Sequence, residues 1–245
     1  MVGTGAESGT VQRVQSLELR TTTEPWPLAR DHGEAIARHW ARRLSENPSF
    51  FDGRVMVLRH LEVAGERCRG TMSLERFSAF LYWRDHPDAD RKTLDGFVSA
   101  LLRSRDGDVM LARHAAGTLN AGRVLVPGGF LDQSDVGPDG TVDVDGAAAR
   151  ELEEETGLST DALTRAPGYL VTRIGHQVSF AIEHRSPLGT AELARAMRAG
   201  LGSHAPDGMQ ELTEIVTAGR EDQLDRIGVD GFARLLVGAV LSGRA

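Results

Sequence analysis

Arg150-Glu151-Leu152-Glu153-Glu154-Glu155-Thr156-Gly157-Leu158 is the stretch on which the reading of this chain turns. On a helix, positions three and four apart share a face, so Glu151, Glu154 and Glu155 point the same way within one turn. Carboxylates that close repel one another. Glu154 and Glu155 also sit just before Gly157, a C′ residue, where the negative end of the helix dipole disfavours them further. Local electrostatics would not select this arrangement. A hard divalent cation such as Mg²⁺ or Mn²⁺, which takes oxygen ligands, would offset it. The bland alternative is a solvated acidic helix face, which is what charged runs usually are.

The sequence on either side supplies a frame for that helix. Asp143 or Asp145 can cap its start, and Ala147, Ala148 and Leu152 give it a packing face of small and apolar residues. Upstream, residues 124–126 read as a short strand running into Pro127-Gly128-Gly129-Phe130, where glycines permit close approaches that side chains forbid and can offer amides or a carbonyl to a phosphate or metal. Residues 97–102 and 109–113 read as strands joined through Asp106-Gly107, a hairpin signal. Downstream, the pattern predicts strands over 169–174 and 178–183, a helix over 191–199, a strand over 211–218, and a closing helix over 229–241 capped by Asp230.

Nearer the start, residues 11–20 alternate as one half-buried strand. A helix is predicted over 31–45, with Asn47-Pro48 as its stop. Strands follow over 54–63 and 69–72, and Ser73 reads as the cap of a helix carrying Leu74, Phe77, Phe80 and Leu81. The expected division is a loose tail over 1–10, an α+β region over 11–93 that can pack as part of one fold, and a core over 94–245. No internal repeat interrupts it. Mixed strands with segregated helices favour an α+β chain or a three-layer αβα sandwich.

Composition narrows the function classes. The chain has 245 residues, 40% hydrophobic and 26% charged, an ordinary globular balance. Cys68 is the only cysteine, which excludes an intrachain disulfide and suits a reducing compartment. The first ten residues lack a basic segment followed by an apolar one, and no 18 apolar residues run together, so neither a signal peptide nor a membrane span is expected and the chain reads as cytoplasmic. A net charge of −7, from 28 basic and 35 acidic residues, disfavours nucleic acid as a partner. A small phosphorylated ligand stays open because a cation can neutralise it locally.

Gly-Gly followed by Arg-Glu-Leu-Glu-Glu-Glu-Thr-Gly-Leu resembles the Nudix box, G-x5-E-x7-R-E-U-x-E-E-x-G-U with U a bulky aliphatic residue. Arg150, Glu151, Leu152, Glu154, Glu155, Gly157 and Leu158 match its second half. The first half departs. Eight positions before Arg150 stands Val142 rather than Glu, flanked by Asp143 and Asp145, and residues 130–149 number twenty where the pattern has thirteen. Seven inserted residues are therefore expected within 131–141.

The resemblance implies a Nudix-type αβα sandwich with an N-terminal α+β extension, binding Mg²⁺ or Mn²⁺ and hydrolysing a nucleoside diphosphate linked to another group. Glu151, Glu154 and Glu155 would be metal ligands, the Gly129 carbonyl a further one, and Arg150 would orient a carboxylate. Glu154 or Glu155 would serve as base. A carboxylate from outside the box is expected from Glu211 or Glu214 ahead of Glu183. Arg123 and Arg173 are candidates for phosphate contacts, and His176, His184 and His204 are weaker candidates for the substrate. A looser resemblance, in residues 47–53 and 74–77, is to the Nudix proteins that cleave UDP-glucose and UDP-galactose, which implies a nucleotide sugar as the small-molecule substrate. ADP-ribose is the alternative substrate, a non-catalytic nucleotide-binding module the alternative function. A homodimer is compatible with all of these.

Overall fold

The computed structural model describes residues 9–203, 210–229 and 231–244. The expected tail lies outside them up to residue 8, as do His204 and the expected cap Asp230. The chain begins with β1 (Thr10–Val14) and β2 (Ser16–Thr21), then α1 (Pro27–Asp31), α2 (Gly33–Glu46), β3 (Arg54–Ala64), β4 (Arg67–Arg76) and α3 (Phe77–Asp85). It continues through β5 (Asp95–Arg103), β6 (Val109–His114), β7 (Val124–Leu125), α4 (Val144–Thr156), β8 (Thr164–Arg165), β9 (Tyr169–Ile174) and β10 (Gln177–Arg185). The last elements are α5 (Thr190–Gly200), β11 (Leu212–Ala218), α6 (Gln223–Ile227) and α7 (Gly231–Leu241).

The main sheet has the order β1-β9-β10-β5-β6-β11, with β7 on β6 and β8 on β10; β2-β4-β3 form a second, smaller sheet. Side-chain alternation along the central strands explains the layers. Ala100 and Leu102 of β5 and Met110 and Ala112 of β6 pack against Leu152 of α4 and Leu193 of α5. Leu101, Val109 and Leu111 point the other way, against Phe232, Leu236 and Val237 of α7. The fold is thus α+β with helices on both faces of the main sheet. No helix among the described residues is long and apolar enough to cross a membrane.

Two local expectations need correction. The strand expected over 11–20 is two strands in two sheets: the Gln15 and Ser16 amides both donate to the Glu66 carbonyl (2.8 and 3.2 Å), which turns the chain from β9 in the main sheet to β4 in the small one. Ser73 does not cap a helix. It is buried within β4, and α3 begins four residues later, where Asp52 accepts from the Ser78 amide (2.8 Å) and from Arg76 (2.7 Å). A capping carboxylate arriving from a distant loop leaves no local sequence signal.

The N-terminal residues share a core with the rest. Val14, Leu19, Met56, Leu58 and Met72 pack with Val98, Val142, Ala147, Ala148, Val178 and Phe180. Trp26, Trp83, Phe80 and Val57 form a further cluster under α1 to α3, pinned by Asp90, which accepts from the Trp26 indole (3.0 Å) and whose carbonyl accepts from the Trp83 indole (2.9 Å).

A fork in the main sheet positions the glycine loop. β5 and β6 pair in register only at Arg103 and Val109, and residues 124–130 fill the gap as they diverge. Val124 and Leu125 pair with β6; further on, the Pro127 carbonyl accepts from Ala100 (2.8 Å) and the Gly129 carbonyl from Val98 (3.0 Å). Gly128 has a positive φ of 152°, and a Cβ there would collide with the Val98 carbonyl. Glycine is what lets the loop lie flush in the fork.

Candidate metal and phosphate site

α4 crosses this fork and presents the acidic face. Its N-cap is Asp143, whose carboxylate accepts from the Gly146 amide (2.9 Å), and it ends at Gly157 with φ 69°, as its sequence demands. Asp145, the other candidate cap, instead binds Arg165 and the Tyr169 hydroxyl. Glu155 is 7% exposed and accepts the Gly128 amide at Oε2 (2.8 Å), while its Oε1 is buried without a hydrogen-bond partner. Glu151 lies directly over Gly129, where its carboxylate occupies the space a Cβ would need. Arg150 donates to Glu151 (2.8 Å) and Glu154 (3.3 Å) on one side and to Asp135 (3.3 and 3.4 Å) on the other.

That last contact relocates the insertion. Asp135 stands six positions after Gly129, the spacing of the box glutamate, and its side chain reaches the box arginine. Val142, where counting back from Arg150 put the missing glutamate, is a buried core residue. The extra residues lie after Asp135, not between it and Gly129. They form a small hairpin in which Val136 bridges Val142 and the Asp143 amide donates to the Asp135 carbonyl (2.7 Å), so residues 136–142 loop out and the chain resumes where it left. The hairpin docks on β2: the Thr21 amide donates to Gly140 (2.8 Å) and the Val142 amide to Leu19 (2.9 Å).

Two more side chains join the cluster from the sheet. His114 ends β6, and Glu211 immediately precedes β11, whose Leu212 is in register with His114. Ligand atoms of His114, Glu155 and Glu211 all lie within 4.8 Å of one another. The sequence reading anticipated Glu211 but missed His114, 97 positions away, because only strand pairing brings them together.

The electrostatics follow from burial. Burial and then the nearby Glu154 charge push the Glu151 carboxyl up to about 7, against the pull of Arg150. Glu155 is raised well above the usual range by burial and then by Glu151, and Glu211 is raised by burial and by Glu154. Asp135 is also raised by burial, against opposing contacts from Asp132 and Arg150. Burial works to lower the Arg150 pKa, but Glu151, Asp135 and Glu154 outweigh it and raise it. Burial, with Arg123 second, lowers His114 to about 4, which leaves the imidazole neutral and free to ligate. Buried carboxyls crowded together, an unpartnered oxygen and a neutral imidazole are a donor set that fits a divalent cation.

The remaining expectations divide. The Gly129 carbonyl is engaged by Val98 yet keeps a second lone pair. Arg123 lies beside His114, whose amide donates to the Arg123 carbonyl (2.9 Å). Arg173 is exposed on β9, in register with Thr10, and does not belong to the cluster. Glu214 is exposed and paired with Arg113 (2.9 Å), while Glu183 is enclosed by arginines. His176 packs against Trp83, and His184 is buried on β10 near Asp145 and Arg165.

A cleft of about 290 Å³ opens next to Glu211, walled by Phe50, Phe51, Phe77 and Phe130 and floored by Gly117 and Thr118. The α2–β3 loop is tied to that floor by Asn47 and Ser49, both donating to the Gly117 carbonyl (2.6 and 3.4 Å). Phe50 packs on Trp40 and Phe77, and Phe77 on Phe130, a continuous aromatic row, whereas Phe51 is 82% exposed.

Comparison with known proteins agrees with this reading. A family model for the NUDIX domain matches residues 95–212. Among solved structures, DR0079 from Deinococcus radiodurans is 19% identical over 58% of this chain and 80% of its own, with a TM-score of 0.41. The MutT protein from Methanosarcina mazei Go1 is 21% identical over 62% and 95%, also at 0.41. The NUDIX domain of Shewanella oneidensis NrtR complexed with ADP ribose is 13% identical over 62% and 88%, at 0.39. No curated protein matches. The domain match takes in the loop and helix described above, so the chain carries a NUDIX domain over residues 95–212.

Proposed function

We propose that the chain hydrolyses the pyrophosphate bond of a nucleoside diphosphate sugar, such as UDP-glucose, to a nucleoside monophosphate and a sugar 1-phosphate. The observation that carries the reading is the aromatic cleft at Glu211, to which the N-terminal region brings Phe50, Phe51 and Phe77 and the glycine loop brings Phe130. A two-part ligand needs apolar surface for its base and directed polar groups for its other end. On the other side of Phe130 a hollow of about 60 Å³ has a largely apolar lining that includes Phe97 and Phe232, and there Arg84, Asp95, Asn120 and Gln177 offer donors and acceptors to a sugar hydroxyl.

Glu155, Glu211, Glu151 and Glu154 would hold the cation, Mg²⁺ or Mn²⁺, with the Gly129 carbonyl within their reach. The cation supplies positive charge against the pyrophosphate and makes water a better nucleophile. Arg150, bridging Asp135 to Glu151 and Glu154, would hold these carboxylates in place for the ion. Glu154, the least buried of the box acids, would take the proton from the attacking water, and Arg123 would contact the phosphates. The aromatic row excludes water from the base end.

The residues before 93 supply both part of the main sheet and a wall of the cleft, so the reading is tested on the intact chain. The test is a product-release screen on nucleotide sugars, ADP-ribose, dinucleoside polyphosphates, coenzyme A and nucleoside triphosphates, with Mg²⁺ or Mn²⁺. Preferred turnover of a nucleotide sugar is expected. Preferred turnover of ADP-ribose or of triphosphates would overturn the substrate assignment, and tight nucleotide binding without hydrolysis would overturn catalysis.

A further inference from the structure

We propose that His114 is a metal ligand, and that with Glu155 and Glu211 it forms a mixed nitrogen and oxygen site that prefers Mn²⁺ over Mg²⁺. The inference rests on the reading of Glu155 and Glu211 as ligands and extends it to a residue outside the box.

Three independent features converge on the site. The first is distance: ligand atoms of the three residues lie within 4.8 Å of one another. Donors about 2.1 Å from a shared ion are separated by roughly 3 to 4.2 Å, so side-chain adjustment on the order of an ångström brings the three onto one ion. The second is unsatisfied polarity. His114 is 6% exposed and its Nδ1 has no hydrogen-bond partner; Glu155 is 7% exposed and its Oε1 has none either. A buried polar atom left unpaired costs about 1–3 kcal/mol, and two such atoms on neighbouring residues of one cluster are poorly explained by folding alone. The third is topology. The Ala115 amide donates to the Glu211 carbonyl (2.7 Å) and the His114 amide to the Arg123 carbonyl (2.9 Å), so both residues are held by backbone bonds while their side chains are left for the site.

The choice of metal follows from the donors. Mg²⁺ takes oxygen ligands in near-ideal octahedra and holds its waters, whereas imidazole suits first-row transition ions. Replacing one carboxylate oxygen by a neutral nitrogen therefore shifts preference towards Mn²⁺ and lowers the negative charge that would draw Mg²⁺. Glu151 and Glu154, both paired with Arg150, stay in the ligand set proposed above, and the trio is the part of it that contributes the nitrogen.

The test uses the intact protein and Mn²⁺ alone. Pulsed electron paramagnetic resonance of the Mn²⁺-loaded wild type should display ¹⁴N modulation from a directly bound imidazole, and that modulation should vanish in His114→Asn. Titration of the free Mn²⁺ signal should give at least about tenfold tighter binding of Mn²⁺ than of Mg²⁺ in the wild type, with the ratio collapsing in the variant. Mn²⁺ bound without nitrogen coupling, or coupling that survives in His114→Asn, would overturn the inference and leave the carboxylate site standing. Absence of Mn²⁺ binding would overturn both. If His114→Asn does not fold, Glu211→Gln at its exposed position replaces it: Mn²⁺ affinity should fall while the nitrogen signal persists, and unchanged affinity would overturn the trio.

Discussion

Glu155 and Glu183 are buried almost equally, at 7% and 3% exposure, yet their surroundings are opposite. Glu183 accepts from Arg13 (3.1 Å) and Arg185 (3.0 Å) and lies 3.6 Å from Arg103; burial alone would raise its carboxyl, but these arginines hold it below its usual range. Glu155 has one backbone amide, one unpartnered oxygen and other carboxylates as neighbours, and is raised well above its usual range. A satisfied buried acid joins strands and holds the fold. An unsatisfied one among other acids is where a cation belongs. The largest effect should therefore come from Glu155→Gln: a loss of kcat of about 100-fold or more, with the melting temperature of the metal-free protein unchanged or raised. Full turnover by that variant would break the contrast.

Glu183→Gln is the mirror experiment. It leaves three arginines facing a neutral amide, and removing one partner of a buried ion cluster costs about 3 kcal/mol, a fall of roughly 6–12 °C in Tm for a chain of this size. Mn²⁺ affinity and kcat at 20 °C should be unchanged. A loss of metal affinity matching that of Glu155→Gln would mean that both acids serve the site.

The contrast also explains what the sequence could tell. α4 was legible because its cap at Asp143, its packing face and its terminal Gly157 are encoded within a few residues, and the acids on it violate local rules visibly. Six strands of the main sheet, β5, β6, β7, β9, β10 and β11, were legible for the same reason, whereas the two-residue β8 was not. Asp135 was overlooked because the box was counted backwards from Arg150 to Val142, across a hairpin whose closure at Asp135 and Asp143 exists only in space; counting forward from Gly129 reaches it. His114 and the aromatic cleft were invisible. A histidine at a strand end carries no signal until β11 pairs beside it, and Phe50, Phe51, Phe77 and Phe130 belong to three segments that read as separate. The split between β1 and β2 was hidden by continuous alternation, since the turn depends on the distant Glu66 carbonyl.

Phe51 extends the comparison to an apolar residue. At 82% exposure it contributes little to the fold, while Phe50 beside it is packed on Trp40 and Phe77. Phe51→Ala should raise KM for the preferred substrate about tenfold, the worth of one base stacked on an aromatic ring, with kcat and Tm unaltered. An unchanged KM would remove the cleft from the substrate's path and with it the main support for a nucleotide sugar.

Asp95 is the intermediate case, and the smallest effect is expected from it. It is buried at the start of β5, its Oδ1 has no partner, and its strongest counter-charge, Arg84, is 4.0 Å away. Burial raises its carboxyl above the ordinary 3.8, and Arg84 opposes that only in part. In the folded chain Asp95 therefore keeps its proton at pH values where the unfolded chain has lost it. The unfolded state then binds fewer protons, so this residue's contribution to stability is favourable near pH 4 and declines as pH rises through the folded pKa. Asp95→Asn cannot titrate and escapes the decline. Thermal melts of the two proteins should coincide near pH 4 and separate with rising pH, the variant becoming more stable by a few degrees at pH 8. If the variant is instead less stable at pH 8, attraction to Arg84 outweighs the cost of burying the charge, and Asp95 belongs with Glu183 among the satisfied acids.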